Sequence, residues 1–267
     1  MSINSMFKNS HLVVLCSLYM ARFPSLVLLL LCAAGATATA QMGGDLQAQI
    51  MYAYRTEDTN QLTNLIQSLG TQVQAGAASG ALRYHLAHAE YRFGLLVQDR
   101  NARAGEEAFG QCAEQLKAVL EQDAGAVEAL ALQSACWENL ARFRKLQAVL
   151  LRARAAACSS SATRLEPRNP RVVYLRAVDE LAHSKPASRD YQRGFSDLKL
   201  AADLFEQTSA TSIEVPGWGD AEAYLELGRQ LQAAGDFLGA RNWIEKSLIA
   251  APDFKAAQRQ RDRLVRP

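Results

Sequence analysis

From Gln41 onward the apolar positions do not alternate with polar ones, and runs of β-branched residues at period two are missing, so the pattern argues against strands. The text is rich instead in Ala, Leu, Gln, Arg and Glu, residues that lose little side-chain freedom in a helix. Breakers recur at short intervals: Gly76 to Gly80, Asp99 to Gly105, Asp123 to Gly125, the Ser159-Ser160-Ser161 run, Pro167 to Pro170, Lys185-Pro186 and Pro216 to Gly219. The segments between them predict helices near 45–55, 58–75, 79–97, 104–121, 125–140, 143–158, 170–183, 188–207, 219–233, 237–250 and 253–265. Short helices joined by short turns must stack as antiparallel pairs.

The last pair carries a finer signature. Tyr224-x2-Leu227-Gly228-x2-Leu231, then Gly235-Asp236-Phe237, Ala240-x3-Ile244 and Pro252 fall at fixed offsets within residues 221–254. Each position has a physical task. Gly228 and Ala240 are small where two helices cross closely, and Tyr224, Leu231 and Ile244 fill the space around the crossing. Gly235-Asp236 makes a tight turn, with Asp236 suited to cap the next helix, and Pro252 suits the first turn of a helix that follows. This spacing resembles the tetratricopeptide repeat (TPR). Tyr224 stands for the family's usual Trp, Leu231 for Tyr and Ser247 for Ala.

Fainter copies precede it. Glu166-Pro167-Arg168-Asn169-Pro170 resembles an inter-repeat loop, which starts a helix near Pro170 and puts Ala177 at the close-contact site. Asp123-Ala124 is a weaker junction, with Ser134 at the small site and Trp137 at the aromatic one. Leu86-Ala87 match the Leu-Gly sites, Phe93-Gly94 approach a turn, Glu90 takes the usual Tyr position, and Glu57-Asp58 mark the turn of the first pair. The resemblance implies an all-α fold: a right-handed α-solenoid of antiparallel helix pairs, about five pairs plus a capping helix, each unit burying its apolar stripe only against its neighbours. Residues 41–78 form a degenerate first pair, 79–216 divergent pairs, 217–254 the well-matched unit and 255–267 the cap. Stretches near 98–104, 159–165 and 209–218 read as insertions longer than a two-residue turn.

Residues 1–40 differ in kind. Met20-Ala21-Arg22, the apolar run Leu26 to Leu31 and the exit Ala38-Thr39-Ala40 make the three-part pattern of a secretory signal peptide cleaved after Ala40, with Met20 a possible true start. The alternative is an uncleaved anchor, supported by Leu12 to Leu18 and opposed by Arg22 and Pro24. Of 29 basic and 27 acidic residues, Lys8 and Arg22 are the only charges in this leader, leaving a body with 27 of each sign. The formal +2 belongs to the leader. Cleavage leaves Cys112, Cys136 and Cys158 in an oxidising space, an odd number that allows at most one internal bridge. Their apolar helical context favours small buried hydrophobes.

No reaction is legible. A Gly-x-Ser-x-Gly elbow, a phosphate-binding Gly-x4-Gly-Lys loop, a dinucleotide fingerprint and a Cys-x-x-Cys pair are absent, so neither an enzyme nor a cofactor is expected. His85 and His88 sit three apart on one helix and form the best metal candidate, short of the third and fourth ligands that zinc needs. Charge is more informative. Arg142, Arg144, Lys145, Arg152, Arg154, Arg164, Arg168, Arg171 and Arg176 face Glu166 alone in their stretch, whereas residues 86–130 hold eight acids and four bases. A neutral body thus has a basic centre beside an acidic flank, suited to an acidic protein segment, an anionic polymer or a membrane face; nucleic acid is not expected of an exported chain. The competing reading is that these long side chains solvate helix backs.

The resemblance also implies where a partner would lie. In this fold the first helix of each pair lines a concave face, and its second, fifth, ninth and twelfth positions point inward. Carried onto this chain, those positions select Tyr84, His88 and Tyr91, then Glu128 and Glu138, then Arg171, Tyr174 and Leu181, then Glu222, Leu225 and Arg229. Tyr and Arg anchor peptides well because one end packs while the other stays wet. The expected activity is that of an exported, periplasmic or secreted scaffold binding a protein or peptide segment, with self-association possible. An accessory subunit of cell-wall or outer-membrane machinery is the second reading, and a helical metal protein centred on His85 and His88 the third.

Overall fold

The computed structural model describes residues 45–76, 79–209 and 217–265. The leader expected at 1–40 lies outside them. Among the described residues there are eleven α-helices and no strands: α1 (45–55), α2 (Thr59–Gln74), α3 (Gly80–Val97), α4 (Ala102–Gln122), α5 (Val127–Phe143), α6 (Ala148–Leu165), α7 (Pro170–His183), α8 (Arg189–Ser209), α9 (Asp220–Ala233), α10 (Phe237–Ala250) and α11 (Lys255–Val265). A 3₁₀ turn, Lys145–Gln147, joins α5 to α6. The closest packing is within the pairs α3/α4, α5/α6, α7/α8 and α9/α10 and between successive pairs, with α11 against α10. This is an all-α solenoid of helix pairs.

Gly228 and Asp236 perform their expected tasks. A methyl group on Gly228 would come within 2.7 Å of Ile244 Cγ1 and 3.1 Å of the Ala240 carbonyl oxygen, so the α9/α10 crossing leaves no room for one. Asp236 caps α10 by accepting from the Gly239 amide, and Asp58 and Asn169 cap α2 and α7 in the same way. Each cap satisfies a backbone donor that has no partner inside its helix. Ser247, at the family's alanine site, is fully buried and donates to the Ala221 carbonyl at 2.7 Å, which satisfies its hydroxyl.

Several boundaries differ from expectation. The serine run is not a linker: Ser159, Ser160 and Ser161 lie inside α6, held in helix by an inner stripe of Ala148, Leu151, Ala155 and Ala162. The break expected at 141–142 falls a few residues later, at Arg144 to Gln147, which contain no Gly or Pro to fix its place, and α6 runs on to Leu165 rather than ending near 158. Helix α3 runs to Val97 as expected, and Gly94 near its end makes a close crossing with Phe109. Pro252 sits in the turn before α11, which starts at Lys255. Cys112 on α4 and Cys136 on α5, expected as free buried thiols, are buried but disulfide-bonded with Cα atoms 6.3 Å apart, and Cys158 is free.

The array also departs from nearest-neighbour packing. Helix α1 reaches the far end of the chain: Arg55 Nη2 lies 3.4 Å from Asp220 Oδ1, the rings of Tyr54 and Phe254 stand 6.1 Å apart, and Glu57 pairs with Arg259. Met51 shares one buried cluster with Val127, Leu130, Val172, Leu175 and Trp218. These contacts span up to 202 residues and tie the first helix to the last pair and the cap.

Candidate functional site

A closed polar cluster occupies the face where the first helices of the pairs converge. Its centre is Arg92 on α3, 2% exposed, whose Nη2 lies 3.2 Å from Oε1 of Glu222 on α9, itself 4% exposed. The two atoms are near enough for charge attraction but off the hydrogen-bond axis. Burial disfavours the Arg92 charge, but Glu222 and the surrounding tyrosines outweigh it and hold the guanidinium above its ordinary pKa. Tyr54 and Trp218 present ring faces to Arg92, with centroids 4.6 and 5.2 Å from its Cζ. Arg92 Nε donates to His88 Nε2 at 2.9 Å, and the Gln47 side-chain amide lies 3.1 Å from His88 Nδ1.

A second chain of bonds extends this cluster outward. Trp218 Nε1 donates to the Tyr84 hydroxyl (3.1 Å), which donates to Glu128 Oε2 (3.2 Å). Arg171 donates to Glu128 Oε1 (2.6 Å) and to the Trp218 carbonyl (3.0 Å). Trp218 is aimed inward by Gly219, which has φ +102°, a conformation costly for other residues, and whose amide donates to Glu222. The Phe205 ring would also meet a methyl group there at 2.7 Å.

Tyr84, His88, Glu128, Arg171 and Glu222 therefore come together, but in contact with one another and with Trp218. Tyr91 and Glu138 instead line an open cleft of about 380 Å³ between α3, α5 and α7, with Leu95, Ala135 and Leu175 as apolar lining. Tyr174 packs its ring against Phe205 at 6.5 Å, Leu181 joins the α7/α8/α9 core, and Leu225 is buried with Ile244. Arg229 is exposed and paired with Glu226. Burial and the neighbouring Arg92 charge push the His88 pKa well below its ordinary value and keep the ring neutral, and its Nε2 lone pair accepts from Arg92 Nε while Nδ1 faces the Gln47 amide.

The basic stretch divides. Arg171 and Arg176 are half-buried on α7 and matched by Glu128 and Asp197. Arg142, Arg144, Lys145, Arg152, Arg154, Arg164 and Arg168 are exposed, with Arg144 near Glu106 and Arg152 near Glu138.

One rim of the cleft carries a Glu138, Asp179 and His183 group, one ligand atom of each within 4.8 Å of the others. His183 Nδ1 lies 3.1 Å from Asp179 Oδ1 and Nε2 lies 3.8 Å from Glu138 Oε2, the atom that Arg152 approaches at 3.7 Å. Burial raises the pKa of both carboxyls.

Sequence reasoning missed Trp218, Arg92, Tyr54, Asp179 and His183. Trp218 lies in a stretch read as an insertion, and Arg92 follows His85, His88 and Glu90 on one helix, so nothing in the sequence set it apart.

A crystal structure of a thermophilic TPR protein from Thermus thermophilus superposes over 85% of this chain and 98% of that one, with a TM-score of 0.58 and 15% sequence identity. The fold is TPR-like. No family model and no curated protein matches the chain, so the TPR-like solenoid rests on the structure together with the repeat spacing at 221–254.

Proposed function

We propose that this chain is an exported, non-enzymatic scaffold that holds a protein segment in the cleft between α3, α5 and α7. The observation that carries the reading is the cleft itself: an open space of about 380 Å³ on the inner edge of a TPR-like array, with an apolar lining and a charged rim. TPR-like arrays offer such surfaces for protein partners. The rigid centre at Arg92, Glu222 and Trp218 fixes the walls, and the segment lies beside that centre rather than across it. Arg142, on the rim, donates to the neutral Gln98 Oε1 at 3.2 Å. It offers a partner carboxylate a charge-assisted bond, so the segment is apolar with an acidic residue.

Export is supported by the three-part leader and by the Cys112–Cys136 bridge, which suits an oxidising compartment. Among the described residues no helix is long and apolar enough to cross a membrane.

The test is affinity capture from a cell-envelope extract with the wild-type chain and with Arg142→Glu plus Ala182→Trp, both at exposed cleft positions. A protein retained by the wild type and lost by the variant, with unchanged melting, supports the reading. Equal retention by both removes the cleft as the binding site.

A further inference from the structure

A different surface carries an independent inference. The 3₁₀ turn and the start of α6 leave large apolar side chains in the open: Leu146 is 103% exposed, Val149 85% and Leu150 55%. The helix continues the stripe. Its inner face is Ala148, Leu151, Ala155 and Ala162, all buried, so at 100° per residue the opposite face carries Val149, Leu150, Ala153, Ala156 and Ala157, all exposed. Arg152 and Arg154 flank that face on its two sides, with Arg144 and Lys145 before it and Arg164 after it, all exposed. From Asn139 to Leu165 the chain has no Asp or Glu. Arg144 has Glu106 at 2.8 Å, Arg152 has Glu138 at 3.7 Å, and the Arg154 guanidinium lies over the Trp137 ring.

We propose that this face binds the surface of an anionic lipid bilayer. A protruding apolar stripe bordered by cations is the pattern of a helix lying in a membrane interface: the apolar side chains enter the acyl boundary, and the Arg and Lys stems reach back to anionic headgroups. A protein partner would need a matching concavity for Leu146 and Val149, whereas a fluid bilayer shapes itself around them. The apolar stripe is on the side of α6 opposite Ala162, which lines the α3/α5/α7 cleft, so the cleft stays open to its partner while this face lies on a membrane. This goes beyond the scaffold reading and does not depend on it.

The test is hydrogen exchange on the full chain with vesicles of phosphatidylglycerol and phosphatidylcholine, against vesicles of phosphatidylcholine alone. Following amides of residues 144–157 separates this face from any binding by the leader. The expected result is several-fold slower exchange in that segment with anionic vesicles only, reversed by 0.5 M salt (about a 4 Å screening length). Leu146→Glu with Val149→Glu, at positions too exposed to disturb folding, is expected to abolish the protection and leave melting unchanged. Exchange unaltered by anionic vesicles overturns the proposal, as does equal protection by neutral vesicles or protection that survives in the double variant. Sedimentation showing a dimer that the double variant loses, or protection by an envelope protein but by no vesicle, assigns the face to another occupant and equally overturns it.

Discussion

Replacing Glu222 by Gln removes one charge from the centre of the array and little else. The side chain keeps its shape, and an amide oxygen can still accept from the Gly219 amide as Glu222 Oε2 does at 3.1 Å. What changes most is Arg92: 2% exposed, it loses the carboxylate 3.2 Å away and keeps only His88 Nε2 and the faces of Tyr54, Tyr91 and Trp218, whereas Arg55, 4.0 Å from Glu222 Oε2, keeps Asp220 at 3.4 Å. Breaking a buried pair from one side costs roughly 3–5 kcal/mol. Because this pair is off the hydrogen-bond axis, the lower end applies, about 3 kcal/mol, a large part of the total stability of most domains. Urea unfolding of wild type, Glu222→Gln, Arg92→Met and the double variant measures it. The double variant is expected to cost clearly less than the two single changes together, since removing both charges leaves neither stranded. Hydrogen exchange adds a local readout: α1, joined to α9 through Arg55 and to the centre through Tyr54, is expected to lose protection in Glu222→Gln. A cost below about 1 kcal/mol, additive single effects, or unchanged protection of α1 would refute the reasoning.

Three further outcomes follow from single sites. Glu90 is 4% exposed with no partner on Oε2, and burial raises its pKa from 4.5 to about 8. Between those values the unfolded chain releases the proton that the folded chain keeps, so stability falls by about 1.4 kcal/mol per pH unit as pH rises; Glu90→Gln is expected to flatten that slope in urea titrations from pH 5 to 8, and parallel profiles would contradict it. The Cys112–Cys136 bridge spans 24 residues, so Cys112→Ala with Cys136→Ala is expected to cost roughly 3.5 kcal/mol by loop closure, with reduction of the wild type giving a similar loss; a variant as stable as the oxidised protein would count against the bond. Gly228→Ala is expected to cost about 1–3 kcal/mol by overpacking against Ile244, read as a lower melting temperature, and an unchanged one would mean the α9/α10 crossing is looser than described.

The legible part of this molecule is what local chemistry dictates. The repeat at 221–254 could be read because a close crossing demands Gly228 and Ala240, and a tight turn demands Gly235-Asp236. The helix start at Asp236 was readable because capping needs a short polar side chain there, and the start at Pro170 because the loop before it resembles an inter-repeat junction; the caps at Asp58 and Asn169 were not read. The α5 to α6 turn reads a few residues early, at 141–142, since Arg144 to Gln147 contain no breaker to fix it, and the end of α6 reads too soon because the serine run imitates a linker. What α6 obeys is its buried stripe, and burial is a tertiary fact.

The candidate site was legible in the same measure. Inward positions taken from the repeat frame brought Tyr84, His88, Glu128, Arg171 and Glu222 to one place, because helical period fixes which side chains face inward. The occupant of that place could not be read. Trp218 and Tyr54 arrive from 134 and 38 residues away in sequence relative to Tyr84 and Arg92, and no spacing rule joins such distant segments. Asp179 and His183 reach Glu138 from another repeat for the same reason.

The central claim, that the cleft between α3, α5 and α7 receives a protein segment, is tested most directly by site-specific photo-crosslinking in cells. A photoreactive side chain is placed at Asn139 or Ala182, which line the cleft, and as a control at Ile249, exposed on α10. The account predicts one and the same protein captured from both cleft positions and not from Ile249. Capture of that protein equally from Ile249, or of none from either cleft position, would contradict it.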